Sequence, residues 1–165
     1  MFVLSRPTYK AMAAQENNLW VLVGNVEDVR AALQAGGDPN TSEETGKTFL
    51  MCAIMRGKEE VVNLLLEQPS IEVNAKDDGD NTALHWACAG GNVAILNQLL
   101  AVPGILVNER ERGLGWTPIM AAIELARLDI VRVMAAVEKV DLDVRDDSGL
   151  SLEDLAYRCA KCDQW

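Results

Sequence analysis

Asn81-Thr82-Ala83-Leu84-His85-Trp86-Ala87-Cys88-Ala89-Gly90-Gly91 decides how this chain folds. Thr82 can cap a helix, because its hydroxyl oxygen accepts from amides of the first turn. Gly91 can end one, because it enters the left-handed region without a Cβ clash. Between them lie roughly two and a half helical turns, with Leu84 and Ala87 three apart on one face. A second apolar helix follows through Val93, Ile95, Leu96, Leu99 and Leu100. The chain then turns at Pro103-Gly104 and passes through an extended Ile105-Leu106-Val107-Asn108.

The same pattern returns along the chain. Thr48, Thr82, Thr117 and Ser151 head its copies at intervals of 34, 35 and 34 residues. Asn40, Asn74, Asn108 and Asp143 close the extended segments at intervals of 34, 34 and 35. Gly24, Gly57 and Gly91 end the first helix of their copies. A period near 33 residues with a Thr-x-Leu-His-x-Ala core is the ankyrin signature. It stands here as Thr82-Ala-Leu-His-Trp-Ala, with weaker forms in Thr48-Phe-Leu-Met-Cys-Ala and Thr117-Pro-Ile-Met-Ala-Ala. From about Gln15 to Tyr157 the chain therefore resembles the ankyrin-repeat family. That resemblance implies an all-α solenoid of stacked helix–turn–helix units with β-hairpin-like loops. The units divide as 15–40, 41–74, 75–108, 109–143 and 144–165, after a leader of residues 1–14 that extends the first helix. Terminal units are expected to be degenerate.

Such an array has no single central core, since each unit buries its apolar face on its neighbours; a hydrophobic content of 49% suffices for that. No apolar run approaches the ~18 residues of a membrane span, and Met1-Phe-Val-Leu is too short for the apolar region of a secretory signal. Lys and Arg total 15 against 25 Asp and Glu, a formal charge of −10. Nucleic acid is thereby disfavoured, because its binding rests on neutralising phosphates with basic side chains. The charge either steers a basic protein surface toward the chain or only keeps the stack soluble. The four cysteines form no secreted framework. Cys52 and Cys88 fall in first-helix cores as small hydrophobes, which favours a reducing compartment, cytosol or nucleus.

The second and third units are regular. In the first, Val26, Val29 and Leu33 carry the helical spacing, but Asn17 and Trp20 replace the Leu and Ala of the inner-helix core. The fourth begins with Thr117-Pro118, Pro fitting the first helical position, yet has Ala126 where its siblings have Gly. If that residue keeps positive φ, its Cβ costs roughly 1 kcal/mol or more. Leu125, Ala126, Arg127 and Leu128 are good helix formers, so the expected outcome is a rebuilt turn in which the first helix runs on. In the fifth unit Ser151 and Asp154 resemble a capping box, and Glu153 fills the slot of Leu84, sensible only on a solvated terminal face.

His85 is the chain's only histidine. The resemblance implies a hydrogen-bonding role within and between repeats, near the Thr hydroxyl and the next loop. A catalytic role needs a nucleophile or carboxylate beside it, and none is nominated. Cys159-Ala-Lys-Cys162 is a lone pair of thiols: a structural zinc wants four ligands, and a redox pair wants a thioredoxin-like context. Folding without zinc or any other cofactor is expected. Neither Gly113-Leu-Gly115 nor Gly79-Asp80 belongs to a phosphate-binding loop; both read as hairpin-tip turns.

The resemblance places partner binding in a concave groove between the loops and the first helices. Trp116, just before its capping Thr, is expected to be exposed to that groove, and Trp86 to pack while bordering it; Trp is enriched at binding hot spots. Register adds Glu44, Thr45 and Lys47 at one finger, Asp78 and Asn81 at the next, and Met55 and Glu124 seven residues after their Thr. Arg110 and Arg112 belong to the loop with an extra residue, which should bulge. The sequence thus reads as a non-enzymatic, monomeric protein-binding module or adaptor for a basic partner surface. Two rival readings are a small inhibitor of cyclin-dependent kinases and a scaffolding fragment of a larger protein. Against the inhibitor, whose family shortens the first helix of the second unit, Thr48 to Gly57 is as long as Thr82 to Gly91. A more distant alternative is a metal or redox protein using Cys159 and Cys162.

Overall fold

Helices begin directly after the capping residues. The computed structural model describes residues 25–162, with side chains through Ala160. The leader, Asn17 and Trp20 lie outside the described residues. Inner helices α2 (Phe49–Met55), α4 (Ala83–Gly90), α6 (Pro118–Glu124) and α8 (Leu152–Cys162) follow Thr48, Thr82, Thr117 and Ser151. Outer helices α1 (Val26–Gln34), α3 (Glu59–Leu66), α5 (Val93–Leu100) and α7 (Leu128–Ala135) alternate with them. Each inner helix packs on the next inner one and each outer helix on the next outer one, so two layers form a stack.

The inner layer closes around a repeated pair of positions. Leu50, Leu84 and Ile119 are buried two residues after their capping Thr, and Ala53, Ala87 and Ala122 five after. The alanines let successive helices approach closely while the larger side chains fill the gap to the outer layer. In α8 the same slots hold Glu153 and Ala156, both exposed. The charge at Glu153 is on a solvated face, as its residue type implied. Ser151 and Asp154 do form a reciprocal cap. The Asp154 amide donates to Ser151 Oγ at 3.2 Å, and the Ser151 amide to Asp154 Oδ2 at 2.9 Å.

A ladder of side-chain amides joins the outer loops. Asn40 Nδ2 donates to the Ser70 carbonyl (2.7 Å), and its Oδ1 accepts from the Glu72 amide (2.9 Å). Asn74 repeats this with Gly104 (2.9 Å) and Leu106 (3.0 Å), and Asn108 with Lys139 (2.8 Å) and Asp141 (2.9 Å). Only a side chain that both donates and accepts bridges two main-chain groups in this way. Asp143, the next position in the register, cannot donate when ionised.

The expectation of a rebuilt fourth turn is overturned. α6 stops at Glu124, and Ala126 sits at φ +52°, beside +63° for Gly57 and +77° for Gly91. The turn copies that of the second unit bond for bond. Amides of Leu125, Ala126 and Arg127 donate to carbonyls of Ala121, Ile123 and Ala122, as Arg56, Gly57 and Lys58 do to Cys52, Ile54 and Ala53. Helix propensity lost because three main-chain hydrogen bonds and the packing of α7 on α5 both require the left-handed residue. Ala126→Gly should therefore stabilise the protein by about 0.5 to 1 kcal/mol, the relieved strain less the added unfolded-state entropy. Urea unfolding should show a raised midpoint at unchanged slope.

Candidate functional site

The loops between units are fingers, each built on a carboxylate at its first corner. These are Glu43, Asp77, Glu111 and Asp146, again 34, 34 and 35 residues apart. Asp77 Oδ1 accepts from the amides of Gly79 (2.9 Å) and Asn81 (2.8 Å) and from Asn81 Nδ2 (3.1 Å). Asp146 Oδ1 accepts from the Ser148 and Leu150 amides, both at 2.9 Å, and from the Ser148 hydroxyl at 2.7 Å. The Ser148 hydroxyl, with the amides behind it, holds the Asp146 carboxyl below its usual range despite burial. Glu111 gathers the amides of Gly113, Leu114 and Trp116. Burial pushes its carboxyl up, but those amides outweigh it and the net shift is downward. This longer acid side chain spans the extra residue of the third finger. The expected bulge is thus a wider turn carrying Leu114 at its tip.

Main-chain bonds tie each finger to the next. The Asp78 amide donates to the Thr45 carbonyl (3.2 Å), Arg112 to Gly79 (2.8 Å) and Asp147 to Leu114 (2.9 Å). Ion pairs reinforce the seam: Lys76–Glu109 at 2.6 Å, Arg110–Asp147 at 2.7 Å and Arg112–Asp80 at 3.0 Å. Arg110 and Arg112 are therefore engaged between fingers. Thr45 and Lys47 bond to each other (3.1 Å), and Asn81 is turned onto Asp77. Glu44 and Asp78 are exposed at finger tips, and Met55 is 49% exposed at the end of α2.

Both indoles lean on finger carboxylates. Trp86 Nε1 donates to Asp77 Oδ2 at 3.1 Å, while Lys47 Nζ sits 5.4 Å from its ring centroid. Trp116 Nε1 donates to Asp146 Oδ2 at 3.3 Å. Each ring is half-buried against the core, its polar edge satisfied.

Between α6 and α8 lies a groove of about 600 Å³, lined by Leu114, Trp116, Glu124, Leu125, Ala126, Arg158 and Cys159. Trp116 and Glu124 were singled out by register. Leu114 and Leu125, 49% and 50% exposed, were not. Their signal was available: Leu125 stands where the siblings carry Arg56 and Gly90. Across the groove Glu124 pairs with Arg158 at 2.6 Å, and the Cys159 thiol donates to the Glu124 carbonyl at 3.8 Å.

His85 is buried, and its two nitrogens have opposite roles. The Thr82 amide donates to Nδ1 at 3.1 Å, so Nδ1 must be the acceptor; Nε2 faces the Trp116 carbonyl at 3.1 Å, so it carries the proton. The ring thus caps α4 and reaches the next finger, the role the resemblance implied. Thr117, with Met120 in place of histidine, leaves its buried hydroxyl without a partner. Cys52 and Cys88 are buried free thiols, the latter pushed up to about 12 by burial. Among the described residues no cluster of His, Cys, Asp and Glu could hold a metal ion, and no helix is long and apolar enough to cross a membrane.

A stack of paired helices joined by hydrogen-bonded fingers defines a repeat protein. The sequence matches the family model for ankyrin repeats, three copies, over residues 12–111 and again over 72–147, and the chain belongs to the ankyrin-repeat family. Ankyrin repeats are generally protein–protein interaction modules.

Burial lowers the proton affinity of His85 below its ordinary value of 6.5, against the opposing pull of the Trp116 carbonyl and nearby carboxylates. Above that value the ring is neutral both folded and unfolded. Below it the unfolded chain takes up a proton that the folded ring refuses, so stability falls until the folded value is reached. Over the first pH unit below 6.5, wild-type stability should drop by up to about 1 kcal/mol. His85→Gln should remove that slope, as read by urea unfolding at several pH values.

Proposed function

We propose that the chain is a non-enzymatic adaptor that docks a partner protein on the concave face made by its fingers and inner helices. The finger-to-finger main-chain bonds carry this reading, because they make the face rigid before a partner arrives. Little ordering is then needed on docking. The non-enzymatic part of this reading is supported by His85, whose two ring nitrogens are committed to Thr82 and Trp116. A basic partner surface suits a chain of charge −10 with Glu44 and Asp78 exposed at finger tips. Free buried thiols suit a cytosolic or nuclear setting, and monomeric action or a scaffolding role within a larger protein would use the same face. The kinase-inhibitor subclass gains no support, since α2 has 7 residues, one fewer than the 8 of α4 and as many as α6.

Affinity capture from cell lysate, quantified against a Trp116→Ala, Asp78→Lys double variant of unchanged helix content, tests this. Proteins retained by the wild type should fall about five-fold or more on the variant. Identical capture by both would count against the concave face.

A further inference from the structure

We infer that the face formed by α7 and α8 docks one amphipathic helix of a partner protein, in the position an outer helix holds in each earlier unit, with Lys or Arg in its C-terminal half. This face is apart from the concave one, and the inference does not rest on binding there. In the second, third and fourth units the inner helix turns back into an outer one. α8 instead runs on to Cys162, past Ala160, the slot at which Gly57, Gly91 and Ala126 turn their chains. Side chains that an outer helix covers elsewhere are left bare. Tyr157 is 65% exposed in the slot where Ile54, Cys88 and Ile123 are buried, and Leu142 48% exposed where Val73 and Val107 are buried. Val131 is half-buried where Val62 and Leu96 are fully buried, and Ala156 is exposed where Ala53, Ala87 and Ala122 are not. The four positions come from two units, so they outline a seat against both α7 and α8, as α7 itself sits against α5 and α6.

Two acids decide what the helix must carry. Glu153 takes the slot of Leu50, Leu84 and Ile119, the side chains that fill the gap to the outer layer. Asp143 takes the ladder position of Asn40, Asn74 and Asn108, whose partners lie in the loop after the next outer helix. Both are exposed, and among the described residues neither carboxylate has a hydrogen bond or ion pair. A docked helix would cover Glu153, and a buried carboxylate without a partner is costly. Asp143 can only accept, so it needs an N–H or a cation where Asn meets both an amide and a carbonyl. A tight turn runs the two helices of a unit antiparallel, so both acids lie beside the C-terminal half of the seat. A cation there also complements the helix dipole. A second copy of the chain matches poorly. Its Arg145 is held by Asp154 and the Gly149 carbonyl, and its Arg158 by Glu124. That leaves Lys139 to face Asp141, Asp143 and Glu153 of the other copy, and like charges would meet.

The test uses two synthetic helical peptides that carry the apolar pattern of α3 and α5 on one face, one with Lys and one with Glu in the C-terminal half. Each is titrated with the full chain by fluorescence anisotropy. The Lys peptide should bind at least about ten-fold more tightly than the Glu peptide. A Leu142→Ser, Tyr157→Ser variant, altered only at exposed positions, should weaken the Lys peptide about ten-fold. An Asp143→Asn, Glu153→Gln variant should reduce the preference for Lys to about two-fold. The Trp116→Ala, Asp78→Lys variant should bind the Lys peptide as the wild type does, so the concave-face reading stands or falls separately. Equal affinity for the two peptides, no binding of the Lys peptide, or indifference to the Leu142→Ser, Tyr157→Ser change overturns the inference. So does loss of binding with the concave-face variant. A dimer in sedimentation velocity that Leu142→Ser, Tyr157→Ser dissolves would make the occupant a second copy and overturn it as well.

Discussion

Side-chain amides that donate to one loop carbonyl and accept from one loop amide of the next unit hold this stack in register. Asn40, Asn74 and Asn108 each do so, with all distances between 2.7 and 3.0 Å. Apolar burial supplies the larger part of the driving force but is indifferent to small slides of one helix pair over another. The amides are not indifferent, since a shift of one residue would strand both a donor and an acceptor. Along the opposite edge the finger-to-finger main-chain bonds impose the same spacing, and His85 ties the start of α4 to the third finger. Each unit is thus located by its neighbours at several points.

That double seam has a consequence for charge. The finger acids do not act as one acidic surface. Asp77, Glu111 and Asp146 are spent on amides of their own loops, and Asp80 and Glu109 on neighbouring Arg112 and Lys76. Asp147 is matched by Arg110, which leaves Glu44 and Asp78 at the tips of the first two fingers, while in the groove between α6 and α8 Glu124 is matched by Arg158.

Much of the fold was legible in the sequence because the capping Thr and the loop Asn are set by local chemistry and recur at nearly fixed spacing. The fate of Ala126 was not. Four helix formers in a row argued for continued helix, but tertiary packing of α7 on α5 and three turn hydrogen bonds decided for the left-handed residue. The candidate site was only partly legible. Register nominated Trp116 and Glu124, while Leu114 and Leu125 went unnoticed because an isolated leucine in a repeat protein is ordinarily core. Arg110 and Arg112, read from the sequence only as members of a bulging loop, reach across to adjacent fingers, an interaction between units that no single unit's sequence displays. The carboxylates at 43, 77, 111 and 146 recur as regularly as the capping residues, and alignment of the units by finger would have exposed them.

The claim that each unit is placed by its neighbours is tested most directly by hydrogen exchange on Asn74→Leu, which removes both bonds to the loop of Gly104 and Leu106. If the register is a nearest-neighbour property, protection should fall in α3, α5 and residues 103–107, and remain at wild-type levels in α7 and α8. Acceleration spread evenly over all helices, or confined to the residues beside position 74, would contradict it.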